Sequence, residues 1–206
     1  MPGAVLELPQ IASRPLPRKR FTRSEVRQML DAGFFAGQRF ELIDGDLIDK
    51  MGQNPPHTNA IEICMALLME IFGIRLVRVQ MPIEVGSADR EHSEPEPDLA
   101  VLAARKPDFA HRQPNGYELT LAVEVADTTL RHDALRKRDL YARADVPEYW
   151  VLDLNGRRLI VHRQLDAERG EYASIQSYAE AEAVSLNSPA GHTIAVSSLL
   201  PWISPQ

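Results

Sequence analysis

The stretch that most constrains this chain is TLAVEVADTTLRHDALRKRDLYARADVPEYW, Thr120 to Trp150. It opens as a strand with almost nothing polar in it. Leu119, Leu121, Val123 and Val125 alternate with Thr120, Ala122 and Ala126, and Glu124 sits in the middle. A lone buried carboxylate costs several kcal/mol unless something compensates it. Either the strand emerges at Glu124, or a positive group faces it there.

The length of 206 residues suffices for one domain with a proper core, or one domain with short appendages. Hydrophobic residues make up 44% and charged residues 25%, ordinary values for a soluble globular protein. No apolar run approaches the roughly 20 residues that a membrane helix needs, so no membrane association is expected. In MPGAVLELPQIASRPLPRKR the basic cluster follows the apolar residues, the reverse of a secretion signal. The single cysteine, Cys64, lies in AIEICMALLMEIFG and reads as a packed core residue. It has no partner for an internal disulfide, which suits a reducing cytoplasm, the expected location. No Cys/His cluster has zinc spacing.

The net charge of −6 counts against strong, non-specific DNA binding. A local basic face is still available from RPLPRKR, Arg14 to Arg20, or RHDALRKR, Arg131 to Arg138. For each run taken singly, a tail and a solvated helix face are the simpler readings.

Residues 1–20, rich in Pro and Arg, read as a flexible arm, and 21–206 as one domain. TRSEVRQML is a short helix with Thr22 or Ser24 as N-cap. RFELIDGDLID alternates around Asp44-Gly45, a strong hairpin signal because a type I′ turn needs positive φ at both central residues. In its first strand Glu41 and Ile43 share one face. PPHTNAIEICMALLMEIFG is a helix of about four turns framed by its prolines and Gly73. RLVRVQMPIEV is a strand, broken at Pro82, and GSADREHSEPE is an acidic loop. PDLAVLA is a strand with Asp98, Ala100 and Leu102 on one face, and helix signals run from Leu130 to Ala144. EYWVLDL, RRLIVHRQ, GEYASIQSY, AVSLN and HTIAVSSLL are further strands. There is no internal repeat. The order predicts a mixed α/β layer.

Three carboxylates stand in or beside apolar strands: Glu41, Asp98 and Glu124. Small neighbours, Ala122 and Ala126, share the face of Glu124. Asp98 and Glu124 lie on strands separated by one loop, and pairing of those strands would bring them together. Two carboxylates held close repel unless a cation neutralises both, and a hard divalent cation does so with oxygen ligands. Lys137 lies four residues after Asp133 and four before Tyr141, so the three share a helix face. It either points over the sheet toward the carboxylates or forms a surface pair with Asp133 worth a few tenths of a kcal/mol.

FELIDGDL, His57 at a helix start, EPDLAVL, LAVEVADTT and HDALRKRDLYARADVPEYWVLDL together resemble the Uma2 family of endonuclease-like bacterial domains. That family is placed in the PD-(D/E)xK, or restriction-endonuclease-like, superfamily. The resemblance spans roughly residues 20–165 and is most specific from Glu124 to Asp153. It implies a mixed β-sheet flanked by helices, with extra strands toward the C-terminus. It implies Asp98 as a metal-binding aspartate and Glu124 as the second acidic ligand. Lys137 stands in for the lysine that the superfamily usually places two residues after that glutamate, where this chain has Ala126. Glu41 is the additional acidic residue, His57 and Asp133 are supporting, and Tyr141 and Trp150 pack the helix against the next strand.

The activity implied is Mg²⁺-dependent hydrolysis of DNA phosphodiesters, with Mn²⁺ able to substitute. DNA is the expected partner, with Arg131 and Arg138 docking it because residues seven apart share a helix face, while Arg136 turns away. A homodimer is left open. The alternative is a catalytically weak or inactive nuclease fold that binds DNA or protein, and a third reading is a scaffold whose acidic loop meets a partner.

Overall fold

A computed structural model describes residues 18–50 and 54–202. The N-terminal arm therefore lies outside the described residues except for Arg18 to Arg20. Lys19 pairs with Glu25, and Arg20 donates to the Asp44 carbonyl at 2.9 Å.

Helix α1, Arg23–Asp31, starts at Thr22, where a capping box ties Thr22 and Glu25 to each other's backbone. Strands β1, Phe40–Ile43, and β2, Asp46–Asp49, pair antiparallel. Their turn residues Asp44 and Gly45 have φ of 48° and 82°, the geometry that their sequence favours. Helix α2, Pro55–Phe72, is capped by Asn54, whose side chain accepts the His57 amide at 3.0 Å.

The central sheet has six strands: β3, Val77–Val79; β4, Leu99–Leu102; β5, Leu119–Ala126; β6, Tyr149–Asp153; β7, Arg158–Asp166; and β8, Glu171–Ala179. They lie in chain order, and only β5 and β6 are parallel. A parallel neighbour needs a crossover, and the segment between them supplies it. Helix α3, Arg138–Arg143, lies in that crossover, directly after a π-helical segment, His132–Lys137. β9, Ala183–Ser185, and β10, Thr193–Ala195, form a small hairpin.

Both faces of the sheet are covered. On one, α2 packs Cys64 and Leu68 against Leu121, Val123, Val125 and Trp150. On the other, α3 packs Leu140 and Tyr141 against Ala122, Ala126, Tyr149 and Val151. Double coverage explains why β5 reads as a near-continuous apolar run. Cys64 is 1% exposed, as its flanking residues suggest, and burial pushes its thiol up to about 12.

Three expectations need correction. β3 is shorter than RLVRVQMPIEV, because Gln80 takes a positive φ of 48° before Pro82 and turns the chain out of the ladder. The helix of the crossover is not regular, since His132–Lys137 bonds i→i+5. Trp150 does not pack against α3. It faces α2, and its indole donates to Glu148 at 2.6 Å.

Candidate active site

β4 and β5 pair with Leu99 opposite Val123 and Ala100 opposite Ala122. Continuing that register sets Asp98 opposite Glu124. Asp98 Oδ2 accepts the Val125 amide at 2.9 Å, so the aspartate is tied to the backbone of its neighbour. Gln80 donates to Oδ1 at 3.4 Å, His57 Nε2 lies 3.5 Å from Oδ2, and Lys50 Nζ lies 4.0 Å from Oδ1. Burial acts against the charge on Asp98, yet the His57 bond and the Lys50 and Lys137 charges hold its carboxyl well below the usual range. The same contact works on His57: burial lowers its pKa, but Asp98 carries it above the ordinary value.

Glu124 faces α3. Its Oε1 accepts from Lys137 Nζ at 2.9 Å and from the Tyr141 hydroxyl at 2.7 Å. Lys137 Nζ also lies 2.6 Å from Glu41 Oε1 and 3.8 Å from Asp133 Oδ1. The Lys137 side chain is only 3% exposed, which rules out the surface pair with Asp133. The helix face read from the sequence does carry Asp133, Lys137 and Tyr141 to one place.

Each neighbour is itself held. Glu41 comes from β1 and accepts the Glu96 amide at 3.1 Å. Asp133 accepts the Thr129 hydroxyl at 2.5 Å, and its carbonyl accepts from the Tyr149 hydroxyl at 3.0 Å. The π turn has a clear use here. Its wider bonding pattern ends at Lys137, at the point where the lysine enters the carboxylate cluster.

One lysine cannot neutralise three buried acids. Burial first, then the charges on Asp98 and Glu41, push Glu124 up to about 8 against the pull of Lys137. Asp133 is raised too, mainly by burial. Glu41 is lowered, because Lys137 and Lys50 outweigh its own burial. Lys137 rises well above its ordinary value: burial opposes its charge, and Glu124, Glu41 and Asp133 overcome it.

These groups line a cavity of about 130 Å³. Its walls carry Glu41, Asp49, Asp98, Glu124, Asp127 and Asp133 against Lys50 and Lys137, with His57 and His132 beside them.

The family comparison meets this geometry at a specific place. A family model described as "Putative restriction endonuclease", under the name Uma2, matches residues 23–197, from α1 to the end of the β10 region. The chain belongs to the Uma2 family. Membership supports a nuclease-like function. A crystal structure from Anabaena variabilis ATCC 29413, described as a putative nuclease belonging to DUF820, superposes with a TM-score of 0.67 at 14% identity. The match covers 87% of this chain and 97% of that one, and at this identity it speaks for the shared fold. No curated protein matches the chain.

Within this Uma2 chain, the cavity collects Asp98, Glu124, Lys137, Glu41, His57 and Asp133. Tyr141 does pack on β6, its ring 4.9 Å from that of Tyr149, but its hydroxyl also belongs to the site. Sequence reasoning missed Lys50, whose side chain is 9% exposed between the Glu96 carbonyl and Asp98. Nothing in LIDK marks it, since a lysine ending a hairpin strand is ordinarily solvated.

The two docking arginines are not brought together. Arg131 borders a surface depression with His132 and Leu135, while Arg138 borders another with Arg143 and Arg169. The i→i+5 turn between them breaks the seven-residue spacing. Arg136 lines the same depression as Arg131, as i→i+5 spacing allows, with its guanidinium held in ion pairs with Asp44 at 3.0 Å and Asp46 at 2.9 Å.

Does the donor set suit a divalent ion? Among the described residues no group of three or more His, Cys, Asp or Glu forms a metal cage. Asp98 and Glu124 are a two-carboxylate set, which is what Mg²⁺ takes when it keeps its waters. Lys137 and Tyr141 both bind Glu124 Oε1, so Oε2 carries neither bond. His57 Nδ1 and His132 Nε2 are buried at the cavity with no hydrogen-bond partner among the described residues. Excess negative charge and unsatisfied polar atoms fit a site that takes in a hydrated cation.

Proposed function

We propose that this protein is a metal-dependent endonuclease that hydrolyses DNA phosphodiesters, with Asp98 and Glu124 as metal ligands and Lys137 and Glu41 completing the catalytic set. The observation that carries the reading is the approach of Lys137 Nζ to within 2.9 Å of Glu124 Oε1. That contact supports Lys137 in the role of the superfamily's lysine, although the position after the glutamate's neighbour is Ala126. Mg²⁺, or Mn²⁺ in its place, bound by the carboxylates supplies a Lewis acid and a water of lowered pKa.

The protein's own groups do the rest. Asp98, bonded to the Val125 amide and flanked by His57 and Lys50, holds a charged carboxylate at the cavity in a fixed orientation. Lys137, protonated and fixed by Glu41, presents a positive charge where negative charge gathers on a phosphoryl oxygen. Tyr141 donates to the same Glu124 oxygen as Lys137 and helps fix that carboxylate. Asp133 and Tyr149 brace the helical turn that delivers the lysine. Arg131 and Arg138 remain candidate DNA contacts, at separate places on the surface. Residues 21–206 form the working domain, residues 1–20 an arm, the location is cytoplasmic, and a homodimer is compatible with the reading.

The test is cleavage of supercoiled and single-stranded DNA with Mg²⁺ or Mn²⁺, beside Asp98→Ala. Wild type should nick or linearise the DNA and Asp98→Ala should not. Binding without cleavage in either protein would replace the enzyme with a DNA-binding module on a nuclease fold.

A further inference from the structure

Resting on that reading, we infer that a concave basic patch at the β3 edge, centred on Arg75, Arg78, Arg105 and Lys106, seats the phosphate backbone of the DNA flanking the cleaved bond. The patch is a concavity of about 270 Å³ whose lining holds these four cations and no carboxylate. In a chain of net charge −6 such a concentration needs a reason. The other residues that line it are apolar: Leu102, Pro107, Phe109 and Ala110.

The floor of the patch is the buried ring of Phe109. Arg112, Arg78 and Lys106 lie 4.9, 5.5 and 6.0 Å from its centroid. Lys106 and Arg112 are partly neutralised by Glu118, at 2.6 Å from each. Arg78 has its ring contact, and no ion pair of Arg75, Arg78 or Arg105 occurs among the described residues. Arg75 and Arg105 are exposed. Cations gathered on one ring repel each other, and a polyanion relieves this while releasing its own counterions.

Location ties the patch to the candidate site. Arg78 stands opposite Ala100, which stands opposite Ala122, so all three share one face of the sheet. Asp98 and Glu124 lie two residues further along their strands, on that same face. Arg78 is thus two residues of strand, about 7 Å, from the level of Asp98 and Glu124, while Arg75 and Arg105 continue the patch away from the site, so that the patch follows several base-pair steps of a flanking duplex. The cavity itself is rich in carboxylates and would repel a phosphodiester strand. A basic platform that begins at Arg78 and runs outward from the site holds the flanking strand against that repulsion.

The experiment measures duplex DNA binding in EDTA over a range of salt, which separates docking from cleavage. Arg75→Gln/Arg105→Gln changes two exposed side chains and should preserve the fold, checked by its thermal melt. The slope of log K against log salt should flatten by about 1.8, from about 0.9 per lost phosphate contact. Arg105→Gln by itself should give about half of that and guards against a fold defect in the double variant. Unchanged slopes overturn the patch, even where Mg²⁺-dependent cleavage by wild type upholds the enzyme. A flattened slope in a protein that never cleaves upholds the patch and removes the enzyme. Wild type that binds polyglutamate but not duplex DNA overturns the patch in favour of an acidic protein partner.

Discussion

Glu41 Oε1 and Lys137 Nζ lie 2.6 Å apart, with 2% and 3% of their side chains exposed. They come from the first strand and from the crossover helix, so the pair closes the site across the fold. The pair leaves Lys137 as the cation shared by Glu41, Glu124 and Asp133, and the stability of the cluster should depend on it.

Lys137→Met should destabilise the protein by about 3–5 kcal/mol near neutral pH, the usual cost of leaving buried charge uncompensated. Adding Glu41→Gln to that variant should restore part of the loss by removing one of the stranded acids. Urea unfolding of the two variants measures both effects. A cost below about 0.5 kcal/mol for Lys137→Met would show that the cluster does not act as a coupled unit.

Lys137→Arg keeps the charge and is the cleaner probe of catalysis. A planar guanidinium does not reproduce a compact ammonium in a tight site. Cleavage should fall by about 10²–10³ while DNA affinity is retained, as for loss of one electrostatic stabiliser. Single-turnover rates on plasmid DNA would reveal it, and a rate within about twofold of wild type would leave Lys137 as a structural ion-pair partner.

Mn²⁺ should stabilise the native state through Asp98. At a hundredfold excess over Kd, binding to the native state adds about 2.7 kcal/mol. Thermal melts of wild type should rise with Mn²⁺, and those of Asp98→Asn should not. Equal rises would locate the ion elsewhere.

His162 should set part of the acid sensitivity. It is 1% exposed and stacked 5.2 Å from the Tyr149 ring, and burial pulls its pKa down from 6.5 to about 4. The folded protein keeps it neutral while the unfolded chain takes up a proton. Its contribution is therefore complete above pH 6.5 and is lost as pH falls toward 4, to a total of roughly 3 kcal/mol. Urea midpoints at pH 7.5, 5.5 and 4.5 should fall less steeply for His162→Gln. Parallel curves for the two proteins would assign the acid sensitivity to other groups.

Arg136→Gln should weaken the fold more than DNA binding. Its guanidinium joins Asp44, Asp46 and the Ile43 carbonyl, at 32% side-chain exposure, and thus fastens the hairpin to the crossover. A loss of about 1–2 kcal/mol in urea unfolding is expected for several partly exposed charge-assisted bonds. A flattened salt slope of DNA binding with no change in stability would reverse this assignment.

Much of this architecture was legible in local chemistry. Asp44-Gly45 specified its hairpin, the periodicity of α2 its helix, and the apolar run of β5 a central strand. Glu124 stood out because a carboxylate in such a strand needs a partner, and Lys137 was the cation at helical spacing from Asp133 and Tyr141. What stayed hidden depends on contacts between distant elements. Lys50 looks like any strand-end lysine until Asp98 is folded beside it. The second use of Tyr141 needs the angle at which α3 crosses β5. The π turn leaves no mark in residue type, yet it moved Arg131 and Arg138 apart. Position 126 illustrates the trade: with the lysine delivered from the crossover, Ala126 stays fully buried in the core.

The bond from the Val125 amide to Asp98 gives the molecule a built-in reporter. That proton points at a carboxylate oxygen instead of a carbonyl, so its NMR resonance registers the charge on Asp98 directly. Titrating ions or oligonucleotides into isotope-labelled protein would make this one peak a gauge of occupancy at the cavity, readable even in a variant whose chemistry is dead.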